Sequence, residues 1–224
     1  MRYRLLAGLA ALALTAIGMV ITRPAKAVGG ASSAVSAGFT AAVIDSKGGI
    51  RCTAAIVNRH WALTSAHCID MNGMSLLYSS TGSPLGTRIA LLSWVIAPHA
   101  DLAAVYSASP MHPPAFASPA QHSPPIGTRA ELSPWGTADL GGPTADALKY
   151  AGVTITSHRR DLRGGPGLHV TPGDGIANTG DSGGPLLVGN DVVGIFSHGD
   201  NAGSGHAVYS QVASWRTWIE RTVG

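Results

Sequence analysis

Glycine and proline interrupt this chain so often that a bundle of long helices is excluded. The 224 residues include 29 glycines and 14 prolines. Glycine destabilises a helix interior and proline breaks its hydrogen-bond ladder, so this spacing predicts short strands joined by turns. Because 45% of the residues are apolar and only 12% are charged, the chain can build a core and is not predicted to be disordered.

Ten short segments have the apolar or β-branched composition of strands, with glycine, asparagine or histidine between them. Residues 109–126, rich in proline, alanine, serine and histidine, separate these segments into two sets. Gly189-Asn190-Asp191 lies between two apolar runs and predicts a hairpin. The pattern indicates an all-β protein with two lobes. The predicted strands are Phe39–Ile44, Cys52–Val57, Trp61–Ser65, Arg88–Ile96, Leu102–Val105, Thr128–Leu132, Tyr150–Thr156, Leu186–Val188, Val192–Ser197 and Ala207–Gln211.

The period of the apolar residues changes at the end of the chain. Val212, Trp215, Trp218 and Ile219 recur at the spacing of one helix face. We therefore predict one C-terminal helix over about residues 212–223, whose apolar stripe packs against the strands.

The first 27 residues have the three parts of a secretory signal peptide. Met1–Arg4 is positively charged, Leu5–Ile21 is a run of 17 apolar or small residues, and Ala25-Lys26-Ala27 is a small-x-small cleavage site. We predict secretion and a mature chain of residues 28–224, without stable membrane association after cleavage. An uncleaved membrane anchor is the alternative, although the apolar run is short for a span.

The net charge of +3 does not indicate a nucleic-acid-binding protein. Four of the 15 basic residues lie in residues 1–27, so 15 − 4 = 11 remain against 12 acidic residues in the rest of the chain. The basic character therefore belongs to the leader, and no nucleic-acid partner is predicted. The charged run at residues 158–163 is predicted to be a solvated loop.

The two cysteines, Cys52 and Cys68, are predicted to form a disulfide, because exported proteins meet an oxidising environment. The chain-entropy estimate for a loop of this length is a stabilisation of about 3 kcal/mol. A zinc site of these thiols with His60 and His67 is the alternative, but the spacing matches no common zinc motif. We predict no metal and no cofactor.

Three segments carry residues that act together in nucleophilic catalysis. His67 follows a predicted strand, Asp101 precedes one, and Ser182 lies within Gly180-Asp181-Ser182-Gly183-Gly184-Pro185. A serine hydroxyl needs a base to become nucleophilic, imidazole has a suitable pKa, and a carboxylate on its second nitrogen fixes the tautomer. Glycine at position 180 allows a backbone that turns the Gly180 and Ser182 N–H groups towards a developing oxyanion.

In this order, the three motifs resemble those of the trypsin/chymotrypsin-like serine proteases. The segments Ala27-Val28-Gly29-Gly30, Ser133-Pro134-Trp135-Gly136-Thr137, Val193–Ser197 and Val208-Tyr209 are similar to further parts of that family. The resemblance implies two six-stranded antiparallel β-barrels followed by the C-terminal helix. The expected boundaries are about 28–108 for the first barrel, 109–126 for the linker, 127–211 for the second barrel and 212–223 for the helix.

The resemblance also implies roles for individual residues. Ser182 would be the nucleophile, His67 the general acid/base and Asp101 the carboxylate that orients His67. The N–H groups of Gly180 and Ser182 would form the oxyanion hole. Asp181 would pair with an amino terminus at Val28 or Ala27, which signal cleavage alone would free. Ser197 would hydrogen-bond to Asp101, and residues 197–199 would line the substrate backbone.

The specificity pocket departs from that of members that cleave after lysine or arginine. Counting back from Ser182 places Ile176 at the pocket base, and Asp174 is two positions away. This apolar pocket predicts cleavage after small or medium uncharged residues. A glutamate-specific pocket, with His198, His206 and Thr179 binding the substrate carboxylate, is the rival interpretation. The predicted pocket residues are Ile176, Ala177, Thr179, Ser197, His198, Gly199 and Ala207.

The sequence thus predicts a secreted, monomeric serine endopeptidase that cleaves protein or peptide substrates through an acyl-enzyme. A non-catalytic, protease-like binding protein is the alternative from another class, and the altered pocket is its best support. An esterase with a G-x-S-x-G elbow is disfavoured, because its catalytic histidine would come last in the chain.

Overall fold

Strands make up most of the regular structure in the described part of the chain. The structure is a computed structural model that describes residues 36–69, 73–78, 86–136, 148, 150–175, 177, 180–199 and 204–224. The predicted signal peptide, its cleavage site and the new amino terminus at Val28 lie outside these residues. The same holds for two predicted pocket residues, Ile176 and Thr179.

The amino-terminal half of the described chain forms a closed, six-stranded antiparallel barrel. Its strands are β1 (Thr40–Ile44), β2 (Ile50–Ile56), β3 (Trp61–Thr64), β4 (Ser75–Tyr78), β5 (Thr87–Ile96) and β6 (Ala103–Ser107). They follow one another in the order β1-β2-β3-β6-β5-β4, and β4 pairs with β1 to close the barrel. Small and branched side chains such as Ala41, Ala54 and Ile56 fill the interior.

The carboxyl-terminal half forms a second barrel. Its strands are β7 (Ser118–Pro119), β8 (Arg129–Leu132), β9 (Ala151–Arg160), β10 (Pro166–Pro172), β11 (Pro185–Val188), β12 (Asp191–Gly199) and β13 (Ala207–Gln211). Strand β11 pairs with both β8 and β12, so β8 to β13 close into six antiparallel strands. The two-residue β7 joins β12 in parallel. The predicted all-β fold of two six-stranded barrels is therefore confirmed.

The chain ends in a helix that packs between the barrels. A 3-10 turn over Val212–Trp215 leads into helix α1 (Arg216–Val223). Val212 and Ile219 are buried in a cluster with Leu63 of β3 and Ile195 of β12, and Trp215 packs against the same cluster. The predicted apolar stripe is thus a packing face, and only its first turn differs from an α-helix. No helix among the described residues has the length and apolarity needed to cross a membrane.

Two sequence-based expectations needed correction. Strands β4, β7 and β10 were not predicted; β10 begins and ends with proline and contains Gly167, a composition typical of a loop. The expected solvated loop at 158–163 is wrong in part. Strand β9 continues through Arg160, and Asp161 is only 5% exposed. The neighbouring side chains of Arg159, Arg160 and Arg163 are exposed, as predicted.

Candidate active site

His67 and Asp101 form a close pair at the end of the first barrel. His67 lies in the 3-10 turn Ala66–Cys68 after β3, and Asp101 lies in the turn before β6. These two strands are paired neighbours, with Thr64 opposite Ala103, so their adjacent ends bring the two side chains together. Asp101 Oδ2 is 2.7 Å from His67 Nδ1, and Asp101 Oδ1 accepts the His67 backbone N–H at 2.9 Å.

The Asp101 carboxylate is fully buried, whereas 31% of the His67 side chain is exposed. Ser197 Oγ donates to Asp101 Oδ2 at 2.6 Å, the contact that the resemblance implies. Burial raises the pKa of the Asp101 carboxyl, but hydrogen bonds from His67 and Ser197 outweigh it, so the pKa lies below its ordinary value of 3.8. Asp101 is therefore ionised at neutral pH.

The ionised carboxylate selects the tautomer of His67. In the neutral imidazole one nitrogen carries the proton and the other accepts. Because Nδ1 is the nitrogen that lies against Asp101, the proton resides there and Nε2 is left as the acceptor. This is the protonation state that a general base needs.

The lowered pKa of Asp101 predicts a pH-dependent contribution to stability. A carboxyl whose pKa is lower in the folded than in the unfolded protein contributes stability at pH values above its unfolded-state pKa, near 3.8. It loses this contribution as the pH falls through its folded-state pKa. In a Ser182→Ala background, which prevents self-digestion, the protein with Asp101 should exceed its Asp101→Asn variant in unfolding free energy at pH 6. This difference should shrink between pH 4 and pH 2.5 in urea titrations. A constant difference would contradict the assignment.

The turn that carries Ser182 has a backbone that only glycine tolerates at two positions. Gly180 and Gly183 have φ angles of +88° and +79°. A Cβ on Gly180 would lie 2.8 Å from Gly136 Cα, so the close approach of two backbones also requires glycine there. Within the described chain, neither the Gly180 nor the Ser182 N–H donates to a backbone carbonyl.

Thr53 on β2 ties this turn to the first barrel. Its N–H donates to Ser182 O at 2.7 Å and its Oγ1 donates to Gly180 O at 3.0 Å. The same Oγ1 accepts the Trp135 N–H at 2.9 Å. Thr53 is fully buried, so these bonds form without competition from solvent. They hold the carbonyl groups of the two residues that flank Asp181.

Asp181 points away from the cleft and into the protein. It is 1% exposed, and its Oδ1 accepts the Gly136 N–H at 2.9 Å. Burial and the nearby Asp181 carboxylate together raise the pKa of the Tyr209 hydroxyl. A carboxylate so deep in the protein needs strong partners, and the predicted one, the amino group of Val28, lies outside the described residues.

His67, Gly180 and Ser182 line one cavity of about 370 Å³. The cavity lies beside the disulfide, and both Cys52 and Cys68 contribute to its wall. The two barrels therefore bring the candidate base His67 and the candidate nucleophile Ser182 to a common cleft, although 115 positions separate them (182 − 67).

Four of the five predicted pocket residues that the structure describes lie at the ends of two paired strands; the fifth, Ala177, lies on no strand. Ser197 and Gly199 are on β12, and Gly199 pairs with Ala207 at the start of β13. Ser197 and Ala207 are buried, His198 is half-buried, and Ala177 packs against the second-barrel core. Asp174 is exposed and accepts the Gly152 N–H at 2.6 Å, which places its carboxylate on the surface beside β9.

The cysteines are joined as predicted, because Cys52 and Cys68 form a disulfide. Ligand atoms of these cysteines and of His67 lie within 4.8 Å of one another. Zinc binds thiolates, and a disulfide has none. The donor set therefore does not fit a metal, and the zinc alternative is rejected.

Sequence reasoning missed two residues that support this site, Thr53 and Asp161. Thr53 lies in an apolar strand, where threonine is common, and Asp161 lies among arginines, where an acidic residue suggests solvation. Only partners distant in the sequence show their roles: Asp161 Oδ2 accepts the Asp101 backbone N–H at 2.9 Å. Burial of a polar side chain would have been the signal, and it is not readable from one sequence.

Comparison with known proteins agrees with this geometry. A family model described as Trypsin matches residues 27–219. Serine protease SP24D of Anopheles gambiae is 27% identical over 197 residues, which cover 78% of this chain and 72% of that protein. Trypsin alpha-4 of Lucilia cuprina is 26% identical over 227 residues, covering 90% of this chain and 89% of the relative.

Solved structures share the fold. Neuropsin, a serine protease expressed in the limbic system of mouse brain, superimposes with a TM-score of 0.73 at 21% identity, over 84% of this chain and 96% of its own. Human heparin binding protein gives a TM-score of 0.72 at 18% identity, over 83% and 91%. Identities this low establish the architecture alone. Since the family match spans residues 27–219, this protein belongs to the trypsin family and is a serine protease, a hydrolase that acts on protein or peptide substrates.

Proposed function

We propose that this protein is a secreted serine endopeptidase that uses Ser182 as nucleophile, His67 as general acid/base and Asp101 as the carboxylate that orients His67. The observation that carries the proposal is the buried Asp101 carboxylate, 2.7 Å from His67 Nδ1. His67 in turn shares a cavity with Ser182. This arrangement leaves His67 Nε2 free to take a proton from a hydroxyl in that cavity.

The reaction proceeds in two acyl transfers. Ser182 Oγ bonds to the substrate carbonyl carbon while its proton passes to His67 Nε2. The tetrahedral intermediate collapses as the C–N bond breaks, and His67 returns the proton to the leaving amine. Water then attacks the acyl-enzyme, giving its proton to His67, and Ser182 leaves with that proton.

The oxyanion of each intermediate is bound by the N–H groups of Gly180 and Ser182. Support comes from the left-handed φ of Gly180 and from the Thr53 hydrogen bonds to Gly180 O and Ser182 O. Fixed donors do not reorganise during the reaction, and one such donor contributes on the order of 3 kcal/mol to transition-state stabilisation. The amino terminus at Val28, freed by signal cleavage after residue 27, pairs with Asp181 and completes this turn.

The proposed substrates carry a small or medium uncharged residue before the scissile bond. The predicted pocket residues Ala177 and Ala207 are small and apolar. Asp174, the acidic residue nearest in the sequence to the predicted pocket base Ile176, is on the surface. One observation favours the glutamate-specific rival: the rings of His169 and His206 stack at 5.3 Å next to the first residue of β13. Two imidazoles there would attract an acidic side chain when protonated.

The test uses the full chain, expressed with its leader in a secreting host. We expect the secreted protein to begin at Val28 or Ala27, and a fluorophosphonate to form an adduct on Ser182, located by mass spectrometry. Peptides with Ala, Leu, Phe, Glu or Arg before the scissile bond then report specificity, with Ala and Leu expected to be cleaved fastest. The Ser182→Ala variant is the control.

Each part of the proposal has its own contrary outcome. Correctly processed protein without an adduct would favour the protease-like binding protein. Preferential cleavage after Glu would favour the rival pocket. An active, secreted enzyme that begins well downstream of Val28 would refute activation by signal cleavage alone.

A further inference from the structure

The turn between β9 and β10, residues 161–165, contains a buried carboxylate that the mechanism above does not use. Asp161 is 5% exposed, although the side chains of Leu162 and Arg163 beside it are exposed. No ion pair of Asp161 occurs among the described residues, so hydrogen bonds must offset the cost of burying its charge.

The two oxygens of Asp161 have different partners. Oδ1 accepts the N–H groups of Arg163 at 3.0 Å and Gly165 at 2.8 Å, which closes the turn locally. Oδ2 reaches other parts of the fold and accepts the Asp101 N–H at 2.9 Å. The Ser210 hydroxyl, which has one proton to donate, lies 2.9 Å from Asp161 Oδ2 and 3.1 Å from the Asp101 carbonyl oxygen. One side chain thus joins the β9–β10 turn to the backbone of the residue that orients His67.

A second hydrogen bond from this turn reaches the Asp101 side chain. Leu162 N–H donates to Ser197 Oγ at 3.0 Å. Because this Oγ accepts from Leu162, its own proton is directed to Asp101 Oδ2, 2.6 Å away. The backbone and the carboxylate of Asp101 are therefore both held from residues 161 and 162.

The segment before Asp101 needs such support. His99 has a φ of +56° and is the one non-glycine residue of the described chain with a positive φ, a conformation that costs about 1 kcal/mol. Gly165 packs against this segment so closely that a Cβ would lie 2.9 Å from His99 O and from Ala100 Cβ. The β9–β10 turn and the Asp101 turn fit together as one unit.

We propose that Asp161 is a positioning residue for the acid–base pair: it fixes the backbone of Asp101, and its turn fixes Ser197 against the Asp101 carboxylate. The proposal rests on the proposed function of His67, Asp101 and Ser182. Asp161 touches no reacting atom, so its loss should lower kcat through the geometry of Asp101 and leave substrate binding unchanged.

The test compares Asp161→Asn with Arg163→Ala and the parent enzyme. The asparagine can keep its Oδ1 in the local turn, but its NH2 group then faces the Asp101 N–H, where two donors repel each other. We expect kcat to fall about 10–100-fold with KM within twofold, since small misplacements of catalytic groups have effects of this size. Arg163→Ala, which removes only an exposed side chain, should retain full activity.

A structural readout separates positioning from general loss of stability. The proton on His67 Nδ1 is expected far downfield in the ¹H NMR spectrum because it lies in a short hydrogen bond to Asp101. Asp161→Asn should shift or broaden this resonance at temperatures where the rest of the spectrum remains native. Ser210→Ala, which removes the hydroxyl within reach of both Asp161 Oδ2 and Asp101 O, should act in the same direction with a smaller effect. If Asp161→Asn does not fold, an unchanged His67 resonance in Ser210→Ala overturns the proposal.

The outcomes distinguish this inference from the proposed function. If the parent enzyme forms the Ser182 adduct and the folded variants match it in kcat and in the His67 resonance, Asp161 is only a turn residue. If the parent forms no adduct, the proposed function fails, and the resonance alone decides whether Asp161 positions Asp101. A loss of kcat accompanied by an equal rise in KM would also overturn the positioning role.

Discussion

Replacing Asp101 with asparagine is expected to lower kcat about 10⁴-fold at pH 7, the magnitude known for the chymotrypsin triad itself. The oxygen of the asparagine amide can still accept the backbone N–H of His67. Its NH2 group then lies where Asp101 Oδ2 now accepts hydrogen bonds from His67 Nδ1 and Ser197 Oγ. Donation from this NH2 group would force the His67 proton onto Nε2. His67 could then no longer accept the Ser182 proton.

The measurement is the rate of acylation by the fluorophosphonate and of cleavage of the best peptide. Ser182→Ala sets the background rate, and ¹⁵N NMR of His67 reports which nitrogen carries the proton. If Asp101→Asn stays within tenfold of the parent, another group orients His67 and the triad assignment is wrong. A 10⁴-fold loss without a change of tautomer would indicate a displaced ring rather than a misplaced proton.

Replacing Gly183 with alanine is expected to destabilise the protein by about 3–5 kcal/mol, which combines the strain of a left-handed alanine with severe overpacking. Gly183 has a φ of +79°, and its Cβ would lie 2.2 Å from both Thr53 O and Thr64 Oγ1. Thr53 cannot move aside, because its own N–H is bound to Ser182 O at 2.7 Å.

Gly189→Ala is the matched control for this substitution. Gly189 also has a positive φ, +61°, but nothing lies within 4 Å of its Cβ position. The Gly189→Ala variant should therefore lose about 1 kcal/mol of unfolding free energy, the conformational cost of a left-handed alanine alone. Urea unfolding of both variants in the Ser182→Ala background measures the difference, and equal losses at the two positions would show that the close packing around Gly183 contributes nothing.

Much of the fold follows from local sequence pattern. The hairpin at Gly189-Asn190 forms as predicted, with Val188 opposite Asp191. The apolar stripe from Val212 to Ile219 is a packing face of the terminal helix. These features depend on neighbours within a few residues, which periodicity and turn chemistry describe well. Strand β10 escaped prediction because its prolines and glycine suit a loop, and only its pairing with β9 and β13 makes it a strand.

The candidate site divides in the same way. The sequence alone determined which chemical groups the chain carries, and the motifs around His67, Asp101 and Ser182 sufficed to predict a serine protease. The sequence also allowed the turn around Ser182, because the positive φ angles at positions 180 and 183 are readily adopted only by glycine, the residue present at both.

Only the tertiary structure decided which polar groups hold these residues in place. Asp161 and Thr53 lie 60 and 127 positions from their respective partners, Asp101 and Gly180. A hydrogen bond between buried groups is strong because both barrels exclude water from it, and that exclusion is created by packing. No short-range pattern records it, so only the fold shows that Asp161, an acidic residue among arginines, accepts a hydrogen bond from the backbone of Asp101.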